Sequence, residues 1–127
     1  MRRRLLFLAA WVFVAAASAA PLSPAARTEI DALLSRLEAS GCEFNRNGTW
    51  YTGAEARPHL LRKLRYLEDR GAVQTTEQFI ELAASGSSMS GEPYLVRCGN
   101  AAPLKSATWL LSQLQAMRSA TGGKKAP

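Results

Sequence analysis

Apolar positions return at intervals of three and four residues over Ile30, Leu33, Leu34 and Leu37, the spacing that lines side chains along one stripe of an α-helix. Ser23-Pro24 supplies an N-cap and a first helical residue and Gly41 an end, so an amphipathic helix is predicted between them. The period then changes. Cys42-Glu43-Phe44 and Thr49-Trp50-Tyr51 flank Asn45-Arg46-Asn47-Gly48, and Asn-Gly accepts the positive φ angles of a tight turn, which predicts a short two-stranded hairpin. Thr52 and Glu55 stand at capping-box spacing before Ala56, Leu60, Leu64 and Leu67, a second helical stripe that Gly71 can close. Pro58 falls inside that stripe and removes a backbone donor, so a kink or a separate first turn is expected there. Thr75 and Gln78 repeat the capping spacing ahead of Phe79, Ile80, Ala83 and Ala84, a short helix ended by Gly86. Ser85 to Pro93 reads as a Gly/Ser loop, and Tyr94-Leu95-Val96-Arg97-Cys98 as a short β-run able to pair with the hairpin. Pro103 opens a last helix with Ala107, Leu110, Leu111, Leu114 and Met117 on its buried side and Trp109 opposite them. No large apolar residue follows Ser119, so residues 119–127 are expected to form a disordered tail. The elements add up to one α+β domain over residues 20–118, about four helices packed on a two- or three-stranded antiparallel sheet.

A different pattern precedes the first helix. Arg2, Arg3 and Arg4 lead an uncharged apolar run from Leu5 to Ala17, and Ala17-Ser18-Ala19 gives a small-residue cleavage site, so residues 1–19 are expected to be a secretory signal peptide. The run meets Pro21 before it reaches the roughly twenty apolar residues of a spanning helix, which argues against stable membrane insertion after cleavage. An uncleaved anchor is the runner-up, and the arginine run also fits a twin-arginine signal loosely. The chain carries 16 Lys+Arg against 10 Asp+Glu; three of those arginines lie in the leader, all acids lie beyond it, and Lys124 and Lys125 sit in the tail. The basic balance is thus a targeting and tail effect rather than the clustered footprint that nucleic-acid binding needs. Export to an oxidising compartment turns Cys42 and Cys98 from two thiols into an expected disulfide. One histidine and two distant cysteines fall short of a metal site, and no motif asks for a cofactor.

Candidate functional residues are those that periodicity leaves over. His59, Lys63, Tyr66 and Arg70 recur along one side of the second helix, away from its leucines, and such a stripe can hold an anion; its plain alternative is a solvated face. Ser87, Ser88 and Ser90 lie in a Gly/Ser loop whose backbone N–H groups and hydroxyls could cradle a phosphate or carboxylate, although its spacing matches neither the phosphate-binding Gly-x-x-x-x-Gly-Lys-Ser/Thr loop nor a Gly-x-Ser-x-Gly elbow. Among the aromatics Trp50, Tyr51, Tyr94 and Trp109, the last stands out as a possible partner surface, unless the β-elements cover it. The expected site lies where Ser87 to Ser90, Arg97 and the Asn47 to Trp50 hairpin converge, with His59 and Lys63 nearby. The favoured function is a non-catalytic binding or interaction module for a small anionic ligand or an envelope protein. Two rivals are a small hydrolase or transferase using Ser88 or Ser90 with His59 as base, and an envelope structural protein meeting its partner through Trp109 and the cationic tail.

The blocks Phe44-Asn45-Arg46-Asn47-Gly48-Thr49-Trp50-Tyr51, Glu55-Ala56, His59-Leu60, Lys63-Leu64, Thr76-Glu77-Gln78-Phe79-Ile80 and Ser87 to Arg97 follow one another in an order and spacing that resembles a bacterial exported family of unknown function typified by the enterobacterial YfeK protein. The resemblance covers most of the mature domain and implies a small exported protein, periplasmic in location, with no catalytic residues to carry over.

Overall fold

Ser23 Oγ accepts the Ala26 N–H at 3.1 Å and Pro24 opens α1 (Pro24–Ala39), as the capping pattern requires. The computed structural model in which this is seen describes residues 8–12 and 20–122. Most of the expected leader (residues 1–7 and 13–19) and residues 123–127 of the expected tail lie outside the described residues. No helix among the described residues is long and apolar enough to cross a membrane.

The hairpin forms as β1 (Glu43–Arg46) and β2 (Thr49–Thr52), with Asn47 at φ 50 and Gly48 at φ 84, the two positive angles that match the twist of paired strands. Asn45 Oδ1 accepts the Gly48 N–H at 3.1 Å and braces that turn. Thr52 and Glu55 close a reciprocal capping box at the start of α2 (Gly53–Asp69). The helix runs through Pro58 as one element, so the expected separate first turn does not occur. The N–H that proline lacks would have reached only Ala54, one turn inside a well-capped end. Beyond Arg70, Gly71 N–H returns to Glu68 O and Ala72 N–H to Leu67 O, which caps the last carbonyls. A second capping box, Thr75 with Gln78, starts α3 (Thr76–Leu82).

β3 (Leu95–Arg97) pairs antiparallel with β1, Phe44 facing Val96, and β4 (Leu104–Lys105) pairs with β3. The sheet is therefore four-stranded in the order β2-β1-β3-β4, one strand more than the sequence predicts. The addition has a cause: Pro103 precedes an edge strand rather than opening the helix, and α4 (Ser106–Gly122) begins three residues later, where Ser106 N–H donates to Tyr94 O at 2.8 Å. Helix α4 also carries four residues, Ser119–Gly122, into the stretch expected to be a disordered tail.

One sheet face, carrying Phe44 and Val96, is sealed by α2 and α4, with α1 and α3 packed behind them; both residues are 1% exposed. On α4 the buried stripe runs through Ser106, Trp109, Leu110 and Leu114. Trp109, expected on the outside, is 7% exposed, and Leu111, expected inside, is 46% exposed. The stripe is displaced because Leu110 and Leu114 satisfy either choice, and the polar Ser106 and Gln113 disguise the side that is buried. The rival partner surface on Trp109 is lost with that burial. Cys42 and Cys98 form a disulfide, Cα–Cα 4.3 Å, one step beyond the Glu43–Arg97 pair that β1 and β3 share.

Candidate functional site

Strand alternation sorts the candidate residues into two groups. Glu43, Asn45, Trp50 and Arg97 share the sheet face away from the helices, because Asn45 is opposite Trp50 and Glu43 opposite Arg97. There the Arg97 guanidinium lies 3.9 Å from the Trp50 ring centre and bonds Glu43 at 2.9 Å, which completes a small surface stack. Trp50 and Arg97 thus belong to the outer face and do not join His59. Phe44, Arg46 and Tyr51 lie on the helix-facing side, where the step that buries Phe44 brings Arg46 to the rim beside α2.

Helix α2 meets this rim with the flank next to its leucines. His59 is half-buried there, and Arg46 Nη1 lies 2.9 Å from its Nδ1 and 3.2 Å from its Nε2. A guanidinium only donates, so the ring must accept, which requires neutral imidazole. Burial, followed by the charges of Arg46, Lys63 and Arg62, pushes His59 down to about 4. One turn on, Lys63 Nζ donates to Gly86 O at 2.9 Å and approaches Tyr94 Oη at 3.3 Å, tying the serine loop to the helix. Burial and then Arg46 lower the Lys63 pKa, and burial raises that of Tyr94.

The serine loop divides its labour. Ser87 Oγ accepts from Met89 and Ser90 N–H, Ser87 N–H donates to Glu92 O, and Gly91 N–H donates to Ser87 O, so these groups hold the loop itself. The expected backbone cradle for an anion is largely consumed in this way. Ser90 Oγ donates to Asn47 Oδ1 at 2.9 Å, which fastens the loop to the hairpin turn. Ser88 is the serine that lines the cleft with His59.

Two adjoining clefts result. The loop-side cleft, about 240 Å³, lies between Lys63, Tyr66, Leu67 and Ser88; the hairpin-side cleft, about 310 Å³, lies between Phe44, Arg46, Tyr51 and Ala56. His59 and Arg62 line both and form their common wall. Glu55 is the carboxylate at this groove, and one of its oxygens is bound to Thr52 N–H. Arg46, Arg62 and Lys63 have no salt bridge among the described residues, whereas Arg27 and Arg97 each have one and Arg57 and Arg118 each have two. Of the helical stripe, Arg70 stacks on Tyr66 at 3.6 Å at the far end of α2. No hydrogen bond joins Ser88 or Ser90 to His59 among the described residues: His59 is bonded to Arg46, and a ring whose pKa is pushed down to about 4 is a weak base at neutrality. Among the described residues no group of three or more His, Cys, Asp or Glu is placed to hold a metal ion.

Of the residues lining the groove, the sequence points to His59, Lys63 and Ser88, and to Tyr51 among its candidate aromatics, but not to Arg46 or Arg62. Arg62 had a usable signal, three residues after His59 on the same helix flank. In the sequence Arg46 reads as part of the turn, and only the two-residue loop at Asn47-Gly48 extends β1 far enough to aim it inward.

Fold and groove together define a small disulfide-braced α+β domain with a cationic cleft on one flank of its second helix. Residues 24–118 match the family of unknown function DUF5329, and the chain belongs to that family. It is 41% identical over 66 residues to a protein of Salmonella typhimurium described as "Uncharacterized protein YfeK". That stretch is 51% of this chain and 53% of the relative, so the chain spans about half the length of the curated relative it matches. No solved structure matches.

Proposed function

We propose that this chain is an exported, periplasmic binding module without catalytic activity, and that its groove takes a small anion, a phosphate or carboxylate group. The observation that carries the reading is the gathering of Arg46, Arg62 and Lys63 on one groove with no carboxylate paired to any of them among the described residues. Half-burial decides the size of the effect. A charge contact at about 4 Å is worth about 1 kcal/mol in bulk water but about 4 kcal/mol at the effective dielectric of a protein surface. Neutral His59 adds no charge; it orients the Arg46 guanidinium by accepting from it. Ser88 contributes a hydroxyl at the loop side. The periplasmic setting rests on the leader-like start of the chain, and the Cys42–Cys98 disulfide suits an oxidising compartment.

Calorimetry of the disulfide-bonded protein against inorganic phosphate at low ionic strength tests the binding. One saturable site is expected, and Arg62→Gln and Lys63→Gln should each weaken it about tenfold, the scale of a charge-assisted hydrogen bond. Absence of saturable heat contradicts the reading. Location is tested by intact mass of protein from fractionated cells: a periplasmic species starting near Ala20 is expected, and a species in the cytoplasmic fraction starting at Met1 speaks against export.

A further inference from the structure

We infer that the anion bound in this groove carries a compact aromatic body, an aryl phosphate or aryl carboxylate rather than the bare ion. The inference rests on the anion-binding reading and adds the class of ligand. Its basis is the hairpin-side cleft. The floor there is Phe44 and Ala56, both buried, and one wall is the half-buried ring of Tyr51. Arg46 holds its guanidinium 5.6 Å from the centre of that ring, so a cation and an aromatic face already stand side by side. A lone phosphate at Arg46 and Arg62 would leave most of the space over this apolar floor filled with water.

Size separates the possibilities. A closed apolar cavity of about 150 Å³ accepts benzene, and the hairpin-side cleft offers about 310 Å³. A single ring fits with room for its substituent, edge or face against Phe44 and Tyr51, as aromatic pairs prefer. The anionic group then falls at the shared wall, where Arg62 lines both clefts and Arg46 is held by His59. The loop-side cleft, with Lys63 and Ser88, remains for a second polar substituent.

The experiment compares phenyl phosphate with inorganic phosphate by calorimetry on the same disulfide-bonded protein, and records intermolecular NOEs from the phenyl protons. The expected result is binding of phenyl phosphate at least tenfold tighter than phosphate, with NOEs to the Phe44 and Tyr51 rings, and loss of most of that advantage in Tyr51→Ala. Equal affinity of the two probes, or NOEs confined to Tyr66, overturns the aromatic class and leaves the anion site standing. Binding of neither removes both. If Tyr51→Ala fails to fold, the wild-type NOEs decide alone.

Discussion

The hydrogen bond from Arg46 to His59 links one side chain's protonation to the stability of the fold. His59 is pushed from its ordinary 6.5 down to about 4 in the native protein. Above pH 6.5 the ring is neutral in both states; between 6.5 and 4 the unfolded chain takes a proton that native His59 refuses. Stability therefore falls as pH drops through that window and levels off, for this group, below about 4. The full linkage would reach about 3 kcal/mol, and solvent screening of a half-buried ring reduces it to about 1–2 kcal/mol. Urea unfolding at pH 7 and pH 4.5 should show this loss in the native sequence and a smaller one in His59→Gln; equal losses would contradict the assignment. Glu29 and Glu55, whose pKa values are lowered by Arg118 and by Thr52 respectively, add a separate acid sensitivity at lower pH that the variant retains. At this scale the sequence revealed His59 and Lys63 because the spacing of the leucines fixes which flank of α2 they occupy. Trp50 and Arg97 were drawn into the same site because the face of a strand residue depends on register, and register is invisible until the partner strand and turn length are known.

Between elements, the tightest junction is the crossing of α1 and α2. Gly53, the first residue of α2, sits so near the end of α1 that a β-carbon would stand 2.6 Å from the Leu37 carbonyl oxygen and 2.9 Å from Glu38 Cα. Both obstacles are backbone and have little freedom to yield. Gly53→Ala should destabilise the protein by about 2 kcal/mol or more, readable as a lower denaturant midpoint; an unchanged midpoint would mean that the helices do not approach as described. The capping boxes at Thr52 and Thr75 were legible because both partners lie within four residues of each other. β4 was not legible, since two residues after a proline carry no period and are defined only by pairing with Leu95 and Val96. The same non-local cause turned α4, whose inward side is chosen by the helices and strands packed against it rather than by the helix's own pattern.

Across the whole molecule, the disulfide and the groove lie at different places on the same sheet. Cys42–Cys98 closes a loop with a sequence separation of 56, which in the chain-entropy model stabilises the fold by about 4 kcal/mol. Cys42→Ser with Cys98→Ser should lower unfolding free energy by about 2–4 kcal/mol while leaving phosphate affinity, measured well below the melting temperature, within about twofold. A variant that stays folded yet loses the anion would tie the brace to the site. Pairing was readable from compartment and cysteine count, whereas the groove appears only when hairpin, α2 and serine loop meet, three segments distant in sequence. Whether the unpaired cations of that groove draw an anion is read by an amide NMR titration with inorganic phosphate at constant ionic strength. Saturating shifts confined to Arg46, His59, Arg62, Lys63, Ser88 and their neighbours are expected. Shifts that grow linearly, or that centre on the Trp50–Arg97 face, would contradict it.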